Sequence, residues 1–262
     1  MTLVIGLSSD NGIVLASDSQ VSIGDVSVRG QKLHVSNDGK FAFGLAGDGA
    51  IIQHLVRDLK KETLPEDPEE TRDLLEVLFG RRMADLRELA ETSLGPGFPV
   101  EALSPPEVVV ATYCIGKPHL FYIDPRSVCS EIEEGFVAIG SGAPFAEHAL
   151  LVAFSHLWGE GFDWSHSAIL CGRIVQDSVA ASGPSVAIGG EPQYILVNAV
   201  GAMSLSEQRH TNLIRFCIDT WIAQEAETFR TAAATPLPPD LLAPFEPSAG
   251  GDEPQEPDEP SA

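Results

Sequence analysis

Threonine at position 2 carries a complete reaction centre if it opens the chain. Its hydroxyl is a nucleophile, and its own α-amine, with an ordinary pKa of about 7.7–8.0, accepts the hydroxyl proton near neutral pH. No histidine base is then needed. Met1-Thr2 is a common start and alone decides nothing, but methionine is usually removed when threonine follows, so exposure of Thr2 is the expectation. Other chemistries find less support. The seven histidines are dispersed, with no His-x-x-x-His or His-Glu-x-x-His pair to bind a metal. Cys114, Cys129, Cys171 and Cys217 form no Cys-x-x-Cys and read as buried free thiols of a reducing cytoplasm. There is no P-loop, and no cofactor is expected.

The segment Thr2-Leu-Val-Ile-Gly-Leu, followed by Gly12-Ile-Val-Leu-Ala-Ser-Asp18-Ser-Gln, resembles the start of proteasome β subunits and of the bacterial HslV-type peptidase. Asp18 stands 16 residues after Thr2, the family's spacing. The resemblance implies Thr2 as nucleophile and Asp18 as its supporting acid. Lys32, in Arg29-Gly-Gln-Lys-Leu33, corresponds to the family's lysine that tunes the amine, although it lies two residues closer to the aspartate than is common. The connecting hairpin is therefore shorter, or Lys32 is displaced.

Gly44-Leu-Ala-Gly47-Asp-Gly-Ala resembles the strand-to-helix turn whose amide receives the oxyanion, with Gly47 as donor. Ile139-Gly-Ser141-Gly-Ala-Pro resembles the block whose serine supports the amine, although Ser141 also suits a helix N-cap. A weaker match, Asp177-Ser-Val-Ala-Ala-Ser182-Gly, gives Ser182 as the family's helix-exit serine. Val179 stands where β subunits carry an aspartate, and Asp177 is out of register.

Positioning these residues requires strands first. Apolar runs at 2–7 and 13–16 flank the turn Ser9-Asp10-Asn11-Gly12, and a second hairpin is expected from Gln31 to Ser36 and from Phe41 to Leu45. Helical stripes follow at Ile51, Ile52, Leu55, Val56, Leu59 and at Leu74, Leu75, Leu78, Met83, Leu86, Leu89. Residues 91–106 read as loop. Strands are expected at 108–113 and 120–123 around Gly116-Lys117-Pro118, and at 136–139. Helices are expected at 145–157 and 166–181, and a closing hairpin pairs 186–188 with 194–197. Ser204-Leu-Ser-Glu207 has capping-box spacing for a last helix reaching toward Phe229. The order points to an α+β chain. With the resemblance, it implies a four-layer αββα sandwich of two packed antiparallel sheets with flanking helices.

The net charge of -22 excludes a phosphate-binding groove, so nucleic acid is an unsuitable partner. No run of 18 apolar residues exists to span a membrane, and the start lacks a signal peptide's basic region. A cytoplasmic location is expected. Residues 1–235 read as the folded domain. Residues 236–262, with eight prolines and seven acids but no lysine or arginine, read as a disordered tail.

The resemblance implies a threonine-type endopeptidase subunit in a homo-oligomeric ring or helical assembly. Peptides or unfolded proteins would be its substrates, and any ATP-dependent unfoldase would be a separate chain. A catalytically silent structural subunit, or an amidase of the same fold, would share most of these residues.

Overall fold

The computed structural model describes residues 2–23, 26–94, 105–133, 135–157, 162–182, 189–205 and 207–234. They fall in two units, Met1–Asp219 and Thr220–Ala262, and all the elements discussed below except the end of the last helix belong to the first.

The chain opens with a tight hairpin, β1 (Val4–Ser9) and β2 (Gly12–Ser17), closed by Asp10-Asn11 with Ser9 opposite Gly12. One sheet has the order β10 (Phe136–Ile139), β1, β2, β11 (Gln193–Asn198), β12 (Gly201–Ser204). The other runs β5 (Leu33–Val35), β6 (Phe41–Ala46), β7 (Glu107–Cys114), β8 (Lys117–Ile123), β9 (Cys129–Glu131). Every pairing among the described residues is antiparallel.

Strand alternation sorts side chains into layers. On β6, Phe41, Phe43 and Leu45 meet the buried stripe Ile51, Leu55, Leu59 of α1 (Gly49–Leu59) and Leu75, Phe79, Met83 of α2 (Pro68–Leu94). Ala42 and Ala46 face the opposite sheet, where Val4, Ile13, Leu15, Ile195 and Val197 close the inter-sheet core. Between them Gly44 lets the sheets approach, since a Cβ there would lie 2.6 Å from Val4 Cγ1. The outer face of the first sheet, with Ile5, Leu7, Val14 and Ala16 fully buried, carries α3 (Ala143–Leu157) and α4 (Trp164–Ser182). This is the αββα arrangement of two antiparallel sheets between helices.

Local chemistry explains several boundaries. Pro68 begins α2, and Asp67 Oδ1 accepts the Glu69 and Glu70 N–H groups at 2.8 and 3.1 Å. That helix continues to Leu94, past the expected loop start; residues 95–104 lie outside the described residues. The β7–β8 turn falls on Ile115-Gly116, with φ of 48° and 76°, and Lys117 already pairs with Cys114. The expected Gly116-Lys117-Pro118 turn is thus displaced, because a two-residue loop with both φ values positive matches the twist of paired strands.

A hairpin not foreseen, β3 (Gln20–Ile23) and β4 (Val26–Arg29), joins β2 to β5, and β9 and β12 were also missed. The expected strand at 186–188 lies outside the described residues, and β11 makes its hairpin with β12. Ser204 ends β12, four residues before the last helix starts, so the expected start is displaced. The last helix, α5, begins at Gln208 and runs to Ala234. The proposed tail from 236 lies outside the described residues.

Candidate active site

The hairpin returns the chain beside its own start. Leu3 N–H donates to Asp18 Oδ1 at 2.9 Å, and Asp18 N–H donates to the Leu3 carbonyl at 3.3 Å. Asp18 is fully buried, and its Oδ2 accepts the N–H groups of Gln20 (3.3 Å) and Gly189 (3.2 Å). Lys32, in the link from β4 to β5, reaches back so that Nζ lies 2.7 Å from Asp18 Oδ1. Burial pushes the Lys32 ammonium below its ordinary pKa, and the charge and hydrogen bond of Asp18 oppose that shift without cancelling it.

Ser141 approaches from the end of β10, where Ile139 pairs with Val4. Thr2 N–H donates to Ser141 Oγ at 3.2 Å, and Gly142 N–H donates to the Thr2 carbonyl at 3.3 Å. The turn grips Thr2 on both sides. Gly140 has a φ of +88°, and a Cβ there would lie 2.2 Å from the Thr2 carbonyl oxygen and 3.1 Å from Ala46 Cβ. A side chain at Gly140 would displace Thr2.

Gly47 directly follows Ala46 and precedes α1. Its φ is +145°, and Pro106 packs so closely that a Cβ on Gly47 would sit 2.9 Å from Pro106 Cα. The structure therefore joins Thr2 to Ser141 and Asp18 to Lys32 by direct bonds, with Leu3 linking the two pairs. Through Ala46 and Gly140 it sets Gly47 alongside. Ser182 is the last residue of α4, and its side chain lies outside the described residues. Asp177 pairs along that helix with Arg173, Nε to Oδ2 at 2.7 Å.

Three supporting residues escaped the sequence reading. Gly189 donates to Asp18, and its carbonyl accepts the N–H groups of Ser19 (3.1 Å) and Gln20 (2.9 Å). Gln193 Oε1 accepts the Lys32 N–H at 3.0 Å while its Nε2 donates to the Gly30 carbonyl at 2.7 Å. That amide behaves like a short strand pairing with the Lys32 segment, and the β3–β4 hairpin takes up the shortened connection. Glu107 accepts the Gly140 N–H at 3.0 Å. None has a diagnostic spacing.

A cleft of about 850 Å³ opens elsewhere, lined in part by Arg29, Val179, Glu191, Tyr194, Asn212 and Arg215. Neither Thr2 nor Gly47 borders it, so cleft size does not locate this chemistry. Among the described residues, no three His, Cys, Asp or Glu side chains converge as metal ligands. Among the same residues, no helix is long and apolar enough to cross a membrane.

Two face-to-face antiparallel sheets between helix layers, with the chain start at the end of a central strand, define a sandwich of the Ntn-hydrolase type. The family model described as proteasome subunit matches residues 2–156, and the chain belongs to that family. It is 26% identical over 249 residues to the proteasome subunit beta of Rhodococcus erythropolis strain PR4, covering 90% of this chain and 78% of that one. It is 25% identical over 243 residues to the proteasome subunit beta of Mycobacterium avium strain 104 (89% and 77% covered). A third relative, the proteasome subunit beta of Gordonia bronchialis, is 25% identical over 218 residues (79% and 71% covered).

Proposed function

We propose that this chain is a threonine-type endopeptidase subunit of a self-compartmentalised, proteasome-like assembly in the cytoplasm. Thr2 is its nucleophile once the residue before it has been removed. The observation that carries the reading is the buried Lys32–Asp18 pair, hydrogen-bonded to the backbone one residue beyond Thr2. Such a pair is costly to bury without a use.

In this reading the Thr2 hydroxyl attacks a peptide carbonyl carbon and its proton passes to the Thr2 amine, which Ser141 orients. The developing oxyanion accepts the Gly47 N–H. The C–N bond breaks, the leaving amine takes the proton, and an ester to Thr2 remains. Water then attacks that ester with the amine as base, releasing the carboxylic product and restoring the hydroxyl. A charged Lys32, joined through Asp18 to the Leu3 N–H, favours the neutral form of the amine. Ser182 would support the same amine from the exit of α4. Family relatives named as proteasome beta subunits support a ring or helical homo-oligomer that admits peptides or unfolded protein, and any unfoldase is a separate partner.

The test is cleavage of fluorogenic peptides and an unfolded protein, with the mass of the N-terminus and oligomer size checked for every variant. Thr2→Ala is expected to abolish hydrolysis while preserving assembly, and Thr2→Ser to retain part of it. A processed, assembled Thr2→Ala protein that cleaves like the parent refutes the mechanism. A parent with free Thr2 that cleaves nothing and takes no threonine-directed inhibitor is a silent structural subunit. One that cleaves small amides but no peptides is an amidase of the same fold.

A further inference from the structure

The two halves of the candidate site belong to different sheets. Thr2 and Ser141 sit at the ends of β1 and β10, whereas Gly47 follows β6 in the opposite sheet. Their separation decides whether an oxyanion formed at Thr2 falls within reach of the Gly47 amide, and inter-sheet apolar packing alone tolerates small sliding.

One dipeptide touches both halves. Pro106 packs against Gly47, and Glu107, which opens β7 opposite Ala46, reaches across to the other sheet. Glu107 Oε2 accepts the Gly140 N–H at 3.0 Å, and Oε1 accepts the Tyr122 O–H at 3.0 Å. Tyr122, on β8 of the same sheet as Glu107, pins the carboxylate from behind. Gly140 opens the turn whose next two residues grip Thr2 at its nitrogen and its carbonyl. The chain of contacts runs Tyr122, Glu107, Gly140, Thr2, with a side branch through Pro106 to Gly47.

We infer that Glu107 is a positioning residue for the proposed reaction, bridging the sheets so that the Thr2–Ser141 turn is held at a fixed distance from the Gly47 amide. This rests on the reading of Thr2 as nucleophile. Glu107 touches neither substrate nor the reacting atoms; it acts through Gly140. Its acceptor atoms do the work, and its charge is not required: glutamine retains one oxygen for the Gly140 N–H and an amide that can donate to the Tyr122 oxygen, whereas alanine leaves both partners open.

The experiment compares Glu107→Ala, Glu107→Gln and Glu107→Asp in the assembled protein. The readings are steady-state peptide hydrolysis and amide hydrogen exchange at Gly140 and Gly142. Glu107→Ala is expected to lower kcat by up to about 100-fold, the cost of a displacement of about 1 Å, with KM within about twofold of the parent. Glu107→Gln is expected to restore most of kcat. Should Glu107→Ala fail to assemble, Glu107→Asp, one methylene too short to reach Gly140 without movement, is expected to lower kcat in the same direction.

Exchange at Gly140 is expected to accelerate in Glu107→Ala and Glu107→Asp but not in Glu107→Gln. An unchanged kcat in the alanine or aspartate variant overturns the inference. So does a glutamine variant as impaired as alanine, or a rise confined to KM. The exchange reading does not depend on activity, so an inactive parent refutes the proposed function while Gly140 protection still decides whether the bridge exists. Unaltered protection in Glu107→Ala removes it.

Discussion

At the residue scale, Lys32 and Asp18 are coupled by desolvation. Asp18 is fully buried, and although three backbone N–H groups reach its carboxylate, Lys32 is the cation bonded to it. Removing one partner leaves the other charge buried in low dielectric, which typically costs about 3–5 kcal/mol, more than the pair itself contributes. Lys32→Ala is therefore expected to destabilise the fold by roughly that amount and to abolish most hydrolysis. The double variant Lys32→Met, Asp18→Asn is expected to recover much of the stability but none of the activity. Denaturant unfolding beside peptide cleavage separates the two effects. If the double variant is no more stable than Lys32→Ala, desolvation is not the dominant cost.

The elements are set by alternation and capping, and Ile115 is a local conflict with that order. In the turn joining β7 to β8, Ile115 takes a φ of 48° and is 66% exposed. A β-branched residue is disfavoured there because Cβ crowds the backbone, and nothing apolar covers enough of the side chain to offset that strain. The following Gly116 takes its positive φ without cost. Ile115→Asn is expected to stabilise the protein by about 1 kcal/mol, read as a higher unfolding midpoint with an unchanged denaturant slope. A lower midpoint would mean that Ile115 makes apolar contacts worth more than the strain. The turn is remote from Thr2 in the strand order, so peptide hydrolysis should not change.

For the whole molecule, the proposed self-association has to overcome a charge of -22 on each chain. Like-charged subunits repel, and screening reduces that repulsion more than it weakens apolar contact. Between about 0.01 and 1 M salt the screening length falls from about 30 to about 3 Å, so the assembled fraction in sedimentation is expected to rise across that series. A strictly monomeric chain throughout, at micromolar protein, would contradict the proposed assembly.

Local pattern was enough for the β1–β2 hairpin and the stripes of α1 and α2, because side-chain period and turn chemistry act over a few residues. The blocks around Gly47 and Ser141 were singled out only by resemblance to the family. The sixteen-residue interval from Thr2 to Asp18 drew notice through the same resemblance, and one tight hairpin spans it. Sequence could not decide whether Lys32, with its shortened connection, still met Asp18. That depended on the β3–β4 hairpin and on Gln193, which reaches the Lys32 segment from 161 residues away. Glu107 was equally silent, since a lone glutamate opening a strand has no signature. Its role appears only when inter-sheet packing brings the Gly140 N–H within 3.0 Å. Motifs along the chain nominated the groups that could react; the stacking of two sheets, a long-range apolar event that no local pattern encodes, decided which groups lie beside them.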